Sequence, residues 1–370
     1  MLTLNDLFQG FRQPEVIRAL AAQIAELAKF LPEPLRVMEV CGGHTHTIMK
    51  YGLPQLLPAS IEFVHGPGCP VCIMPKERID QAIELAREPN VILVTLGDMI
   101  RVPGSKGTLA QQRAKGSDIR PVYDPLDALR IAKENPEKTV VFFAIGFETS
   151  TPMTAALLVA AEEQGVENLL FHINHVLVPP AIHAVMADGV AKVNAFIGPS
   201  HVSVITGADI YLPIVQRYQV PVVVSGFEPV DVMEALLMMV RQKVEGRYAL
   251  EVQYSRAVTA SGNKAAQRLV ERFFETREHF RWRGLGDINA SALRLRDAFA
   301  KRDAECHFAL NQTSIDDHKA CQCADILRGL AKPNQCKVFG RGCTPTQPMG
   351  SCMVSSEGAC NAYYRYMGIQ

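Results

Sequence analysis

The ten cysteines fall into two groups: Cys41, Cys69 and Cys72 near the start, and Cys306, Cys321, Cys323, Cys336, Cys343, Cys352 and Cys360 near the end. In a chain expected to be cytoplasmic, where structural disulfides are rare, that usage points to metal binding or redox work, at two separate sites. Cys321, Cys336, Cys343 and Cys360 form C-x14-C-x6-C-x16-C, four loop-borne thiols of the kind that hold a [4Fe–4S] cluster. Zinc is the competing occupant, but its paired C-x2-C knuckles are missing from this stretch. Cys323 serves nearly as well as Cys321. Cys352 and one member of the Cys321/Cys323 pair are then left over, either as a redox disulfide beside the cluster or as packing. Cys306 is read as packing.

Cys41-Gly42-Gly43-His44-Thr45-His46 follows an apolar run, so the cysteine falls between a strand end and a helix N-terminus. There the helix dipole favours a thiolate, making Cys41 a reactive or metal-binding thiol, with an inert strand-end cysteine as the alternative. Cys69-Pro70-Val71-Cys72 has the spacing of a reversible disulfide, or of two ligands acting jointly with Cys41. Gly146-Phe147-Glu148 and Gly226-Phe227-Glu228 both follow strands. Glu148 and Asp98 are the expected site acids, Glu228 favours a helix N-terminus, and Thr149 or Thr151 is expected to cap a helix. His175 and His201, at strand ends, read as structural histidines. There is no Walker A loop, G-x-G-x-x-G or H-E-x-x-H.

The elements that position these groups alternate between apolar strands and helices, which argues for α/β units with parallel sheets. The division expected is an amphipathic helix over 1–32 packing on the C-terminal domain, α/β domains over 33–122 and 123–245, and a metal-stapled domain over 246–370. Residues 101–120 lack periodicity and read as a long, mobile loop over a site. Lys+Arg and Asp+Glu both number 38 in 370 residues, which argues against nucleic acid or an anionic membrane as the main partner. The start of the chain lacks a signal-peptide pattern, and no apolar run spans a bilayer.

Cys41-Gly42-Gly43-His44-Thr45-His46, Gly66-Pro67-Gly68-Cys69-Pro70-Val71-Cys72, Gly146-Phe147-Glu148-Thr149 and Cys352-Met353-Val354-Ser355-Ser356-Glu357-Gly358-Ala359-Cys360 together resemble the HypD family of [NiFe]-hydrogenase maturation factors, nearly end to end. Ser150 stands where that family has threonine. The resemblance implies two Rossmann-like parallel-sheet domains flanking a cleft, plus a smaller α-rich C-terminal Fe–S domain. It implies a scaffold, with redox activity, on which Fe(II) acquires two cyanides and one carbonyl. Cys41 would hold that iron jointly with the N-terminal cysteine of a small chaperone, HypC, with His44 close by. Cyanide would come from a thiocyanate on the C-terminal cysteine of HypE, and the product would pass to the hydrogenase large subunit. The family is also similar to ferredoxin:thioredoxin reductase in setting a disulfide beside its cluster. That implies Cys323 and Cys352 as the pair, Cys321, Cys336, Cys343 and Cys360 as ligands, and Cys69 and Cys72 as the next electron acceptors. A stand-alone Fe–S thiol-disulfide oxidoreductase is the competing function, and a zinc-stapled adaptor the third.

Overall fold

The computed structural model describes residues 9–367. Nine strands build two parallel sheets. The first runs β2-β1-β7-β8-β9, from β1 (Leu35–Glu39), β2 (Ile61–His65), β7 (Ala195–Pro199), β8 (Val222–Ser225) and β9 (Leu250–Val252). The second runs β4-β3-β5-β6, from β3 (Val91–Leu96), β4 (Ile119–Val122), β5 (Thr139–Gly146) and β6 (Leu169–His175). Each strand pairs in parallel with its neighbours, as expected of runs rich in Val, Ile and Phe that are buried on both faces.

The pairing does not follow the expected division at 122/123. The chain leaves the first sheet after β2, builds the whole second sheet, and returns to the first at β7, where Val37 pairs with Ala195. Strands with no polar face carry no signal of which neighbour they will take, so sequence order was a poor guide to sheet membership.

Alternation along β1 explains the layers. Leu35 and Val37 join a cluster with Ile17, Ala21 and Ile24 of the helix Pro14–Ala28 and with Leu236 and Val240 of the helix Pro229–Val244. Met38 and Val40 turn the other way, into a cluster shared with Leu93 and Phe143 of the second sheet and with Cys69, Cys72, Cys323 and Cys352. The amphipathic N-terminal helix therefore packs mainly on Pro229–Val244, in a cluster that Ala362 and Tyr363 of the C-terminal stretch also join.

Two further expectations change. Residues 101–120 are not an irregular loop. They contain the helix Leu109–Ala114, started by a Thr108/Gln111 capping box, and the beginning of β4, with Ser105 N–H donating to Asp80 Oδ1 at 2.9 Å. Pro121 hid β4, but on an edge strand the missing N–H costs nothing. The stretch 246–370 is also not set apart. β9 closes the first sheet, while Phe273, Phe274, Leu293 and Leu295 complete the outer core of the second, beside Phe142 and Phe171.

Candidate thiol and cleft site

Parallel α/β sheets display chemistry where strands carry the chain away in opposite directions from adjacent positions. In the first sheet that point lies between β1 and β7, and in the second between β3 and β5. The two switch points face each other across one cleft of about 700 Å³, with Cys41 and His201 on one wall and Asp98 and Gly146 on the other. Ser355, Ser356 and Glu357 close one side, and Tyr123, 98% exposed, stands at the rim.

Cys41 is the residue just before the helix Gly42–Lys50. Its N–H donates to Glu39 Oε2 at 3.1 Å, and Glu39 Oε1 also takes His65 Nδ1 at 2.7 Å and the Thr45 hydroxyl. The helix start does favour the Cys41 thiolate, through the N–H groups of Gly43 and His44, but it is outweighed. Burial, followed by the field of Glu357 and Glu39, pushes its thiol up to about 12. Glycines let three segments close on it. A Cβ on Gly42 would meet Glu357 Cβ at 2.3 Å, and one on Gly68 would meet the Cys41 nitrogen at 2.1 Å.

His44 stacks on Phe227 with ring centroids 4.4 Å apart, and His201 lies on the same ring at 4.1 Å. His44 Nε2 is 2.9 Å from the Gly226 carbonyl, its Nδ1 has no protein partner, and burial drives the imidazole down to about 4. His44 is thus neutral. Asp98 lies in the cleft and pairs with Arg101 at 3.0 Å. Glu148 is buried behind the cleft wall. Its Oε1 accepts from Val178 N–H at 2.9 Å, its Oε2 has no partner, and burial raises the carboxyl to about 7.

The expected caps differ. Thr151 does not accept from the helix start but donates to the Phe147 carbonyl at 3.0 Å, and Ser150, not Thr149, is the residue preceding the helix. Glu228 does precede a helix, and it also pairs with Arg12. His175 is structural, held by Thr154 at 2.8 Å, whereas His201 is exposed in the cleft.

Cys69 and Cys72 are joined as a disulfide, with Cα atoms 5.2 Å apart. The Ser351 hydroxyl donates to the Cys72 carbonyl, and Ser351 precedes Cys352, whose Sγ is 2.7 Å from Cys323 Sγ. One hydrogen bond thus links the segment of the early disulfide to that of the later thiol pair, while Cys41 lines the cleft and the later cysteines a pocket of their own. Cys321, Cys323, Cys336, Cys343, Cys352 and Cys360 all line a single small pocket, completed by apolar side chains such as Ile326 and Phe339. Cys306 is neither in it nor packed; it is exposed on a short helix.

Among the described residues, no three His, Cys, Asp or Glu side chains converge tightly enough for a single metal ion. A four-iron cluster spaces its thiolates more widely, around its own iron and sulfide atoms, and an apolar pocket of soft donors is the environment it favours. Gly350 also fits. A Cβ there would stand 2.6 Å from Cys321 Sγ. Burial raises the thiols of Cys343 and Cys360, and a bound metal would reverse that by displacing the protons. The thiols of Cys323 and Cys352, in contact with each other, are likewise raised overall as burial outweighs the opposing field of buried Arg283.

Sequence reasoning missed Glu39, His65, Phe227 and Arg283. Glu39 carried a usable signal, being a carboxylate on a strand whose other inward residues are apolar. Phe227 carried none, because its role depends on two histidines from distant segments.

Fold and site together define a two-sheet α/β protein with a cleft thiol, and with a disulfide and a six-thiol pocket whose segments share one core. A family model described as "HypD: Hydrogenase formation hypA family" matches residues 15–367, and the chain belongs to this family of hydrogenase maturation factors. It is 53% identical over 362 residues to the hydrogenase maturation factor HypD of Azotobacter vinelandii, covering 96% of this chain and 95% of that one. Identity is also 53%, with the same coverage, to the hydrogenase expression/formation protein HupD of Azotobacter chroococcum mcd 1. It is 44% over 360 residues to HypD of Escherichia coli K12, covering 96% of each chain. No helix among the described residues is long and apolar enough to cross a membrane.

Proposed function

We propose that the chain is a cytoplasmic scaffold and electron relay on which an iron ion gains two cyanides and one carbonyl. A small HypC-type chaperone then carries the assembled group to the large subunit of a [NiFe]-hydrogenase. The observation that carries this reading is Cys41 at the switch point of one sheet, facing the switch point of the other across a cleft with room for iron and the end of a partner chain.

Iron is the cargo. Cys41 supplies one thiolate and the chaperone's N-terminal cysteine another, while neutral His44 keeps a second positive charge away from the metal. Because burial holds the free Cys41 thiol protonated, it becomes a ligand only as iron displaces the proton. A HypE-type donor brings cyanide as a thiocyanate. Freeing it takes two electrons, which break the sulfur–carbon bond and leave a thiolate and cyanide. The Cys69/Cys72 dithiol supplies those electrons, losing two protons as it closes to the disulfide. Cys323 and Cys352, linked to that loop through the Ser351 hydrogen bond, would reopen it. A [4Fe–4S] cluster held by Cys321, Cys336, Cys343 and Cys360 would supply single electrons.

The test is an infrared spectrum, in the triple-bond stretching region, of the anaerobically purified chain with its small partner. Cyanide and carbonyl bands that vanish in Cys41→Ser are expected. Absence of bands in a preparation with all partners co-expressed would favour the stand-alone thiol-disulfide oxidoreductase, the reading that the adjoining thiol pairs support next.

A further inference from the structure

The chain carries no net charge, yet residues 318–341 hold Lys319, Arg328, Lys332, Lys337 and Arg341 against the single carboxylate Asp325. Arg328 and Lys332 are taken up by Asp188 and Glu62. Lys319, Lys337 and Arg341 are exposed, and among the described residues none has a carboxylate within ion-pair distance. All three sit beside the six-thiol pocket. Lys337 adjoins Cys336, while Lys319 and Arg341 each lie two residues before a lining cysteine. Cys336 Sγ is 4.0 Å from the Ala320 carbonyl, which brings the Lys319 and Lys337 segments to one rim. The same rim is the shallow side of the pocket. Cys321 and Cys336 are half-buried there, whereas Cys323, Cys343, Cys352 and Cys360 are buried.

We infer that this basic rim is the docking surface for an acidic one-electron carrier protein, which delivers electrons at the Cys321/Cys336 side of the pocket. The inference rests on the cluster reading above. Cations present only to offset charge inside the pocket would be most effective when buried, because water and salt screen exposed ones within about 8–10 Å. Exposed, unpaired cations act instead on encounter, steering an oppositely charged partner and fixing its orientation. Each docking oxidises one carrier by one electron. Two such electrons, with two protons from solvent, break the Cys69–Cys72 sulfur–sulfur bond and leave two thiols.

The test uses the full chain, purified anaerobically, with a reduced acidic plant-type [2Fe–2S] ferredoxin as probe. Kd is measured by calorimetry at low and moderate salt, and iron and sulfide are assayed separately. In Lys319→Glu/Lys337→Glu/Arg341→Glu, binding is expected to weaken tenfold or more at low salt, with the gap closing as salt rises and iron and sulfide unchanged. The milder Lys319→Gln/Lys337→Gln/Arg341→Gln should show a smaller loss in the same direction and guards against misfolding. An unchanged Kd in both variants would overturn the proposal. So would variants that shift only the reduction potential, or wild-type protein that binds a basic cytochrome as well as the ferredoxin. A preparation without iron or sulfide would sink the cluster reading alone, since the binding comparison can still be made.

Discussion

His65 Nδ1 lies 2.7 Å from Glu39 Oε1, and both side chains are enclosed beneath the Cys41 turn. Glu39 also receives the Cys41 N–H, so this buried pair fixes the backbone from which the cleft thiol projects. Removing one partner of such a pair strands the other's polar atoms away from water. Glu39→Ala is expected to cost about 3 kcal/mol. A cycle with His65→Ala should show a coupling of about 1 kcal/mol or more by urea unfolding. Additive losses would mean that the two residues act independently.

Gly68→Ala places a methyl group against the Cys41 nitrogen. Overpacking of this kind costs about 1–3 kcal/mol, and here the strain falls on the turn that carries the thiol. The variant should melt lower and change the rate of Cys41 alkylation. Gly10→Ala, with nothing within 4 Å of its new Cβ, should stay within about 0.5 kcal/mol of wild type.

Glu305 provides a pH test. Burial alone would raise its carboxyl, but Arg78 and Arg277 overcome that and hold it well below the usual range. A folded-state value below the unfolded one, near 4.3, means stability that is present above about pH 4.3 and lost as pH falls further. Glu305→Gln should therefore lose about 3 kcal/mol at pH 7. The gap to wild type in denaturant unfolding should narrow below about pH 4. A gap independent of pH would show that the ion pairs are not its source.

Glu148 should behave in the opposite sense. Its carboxyl is raised to about 7, so the folded protein keeps a proton that the unfolded chain gives up above about pH 4.3. Wild-type stability from this group is full below that value and declines until about pH 7. Glu148→Gln should flatten that slope in unfolding curves taken from pH 4.5 to 8. A slope unchanged in the variant would assign the proton to another group.

Alkylation of the metal-free protein at pH 7.5 should label the exposed Cys306 first and Cys41 much later, because burial keeps the Cys41 thiol protonated. Mild oxidation should then add a Cys323–Cys352 cross-link, detectable by peptide mapping. Rapid Cys41 labelling would contradict its raised thiol.

Much of this was legible before any coordinates. Val91–Leu96 and Thr139–Gly146 announce themselves as unbroken apolar runs, and the glycines after the strands mark where side chains emerge. The spacing of the later cysteines grouped Cys321, Cys336, Cys343 and Cys360, and all four line one pocket. What stayed hidden depends on distant partners. Glu39 needs His65 to explain its burial, Phe227 needs His44 and His201, and the pairing of β1 with β7 joins segments with a whole sheet between them.

That last pairing shapes how the molecule comes into being. At ribosomal rates of about 5–20 residues per second, on the order of ten seconds separate the emergence of β2 from that of β7. Throughout that interval β1 has one open hydrogen-bonding edge, and its apolar side chains lack the helix Pro229–Val244 that later covers them. No cut into two contiguous fragments would leave the first sheet whole in one piece and the second in the other.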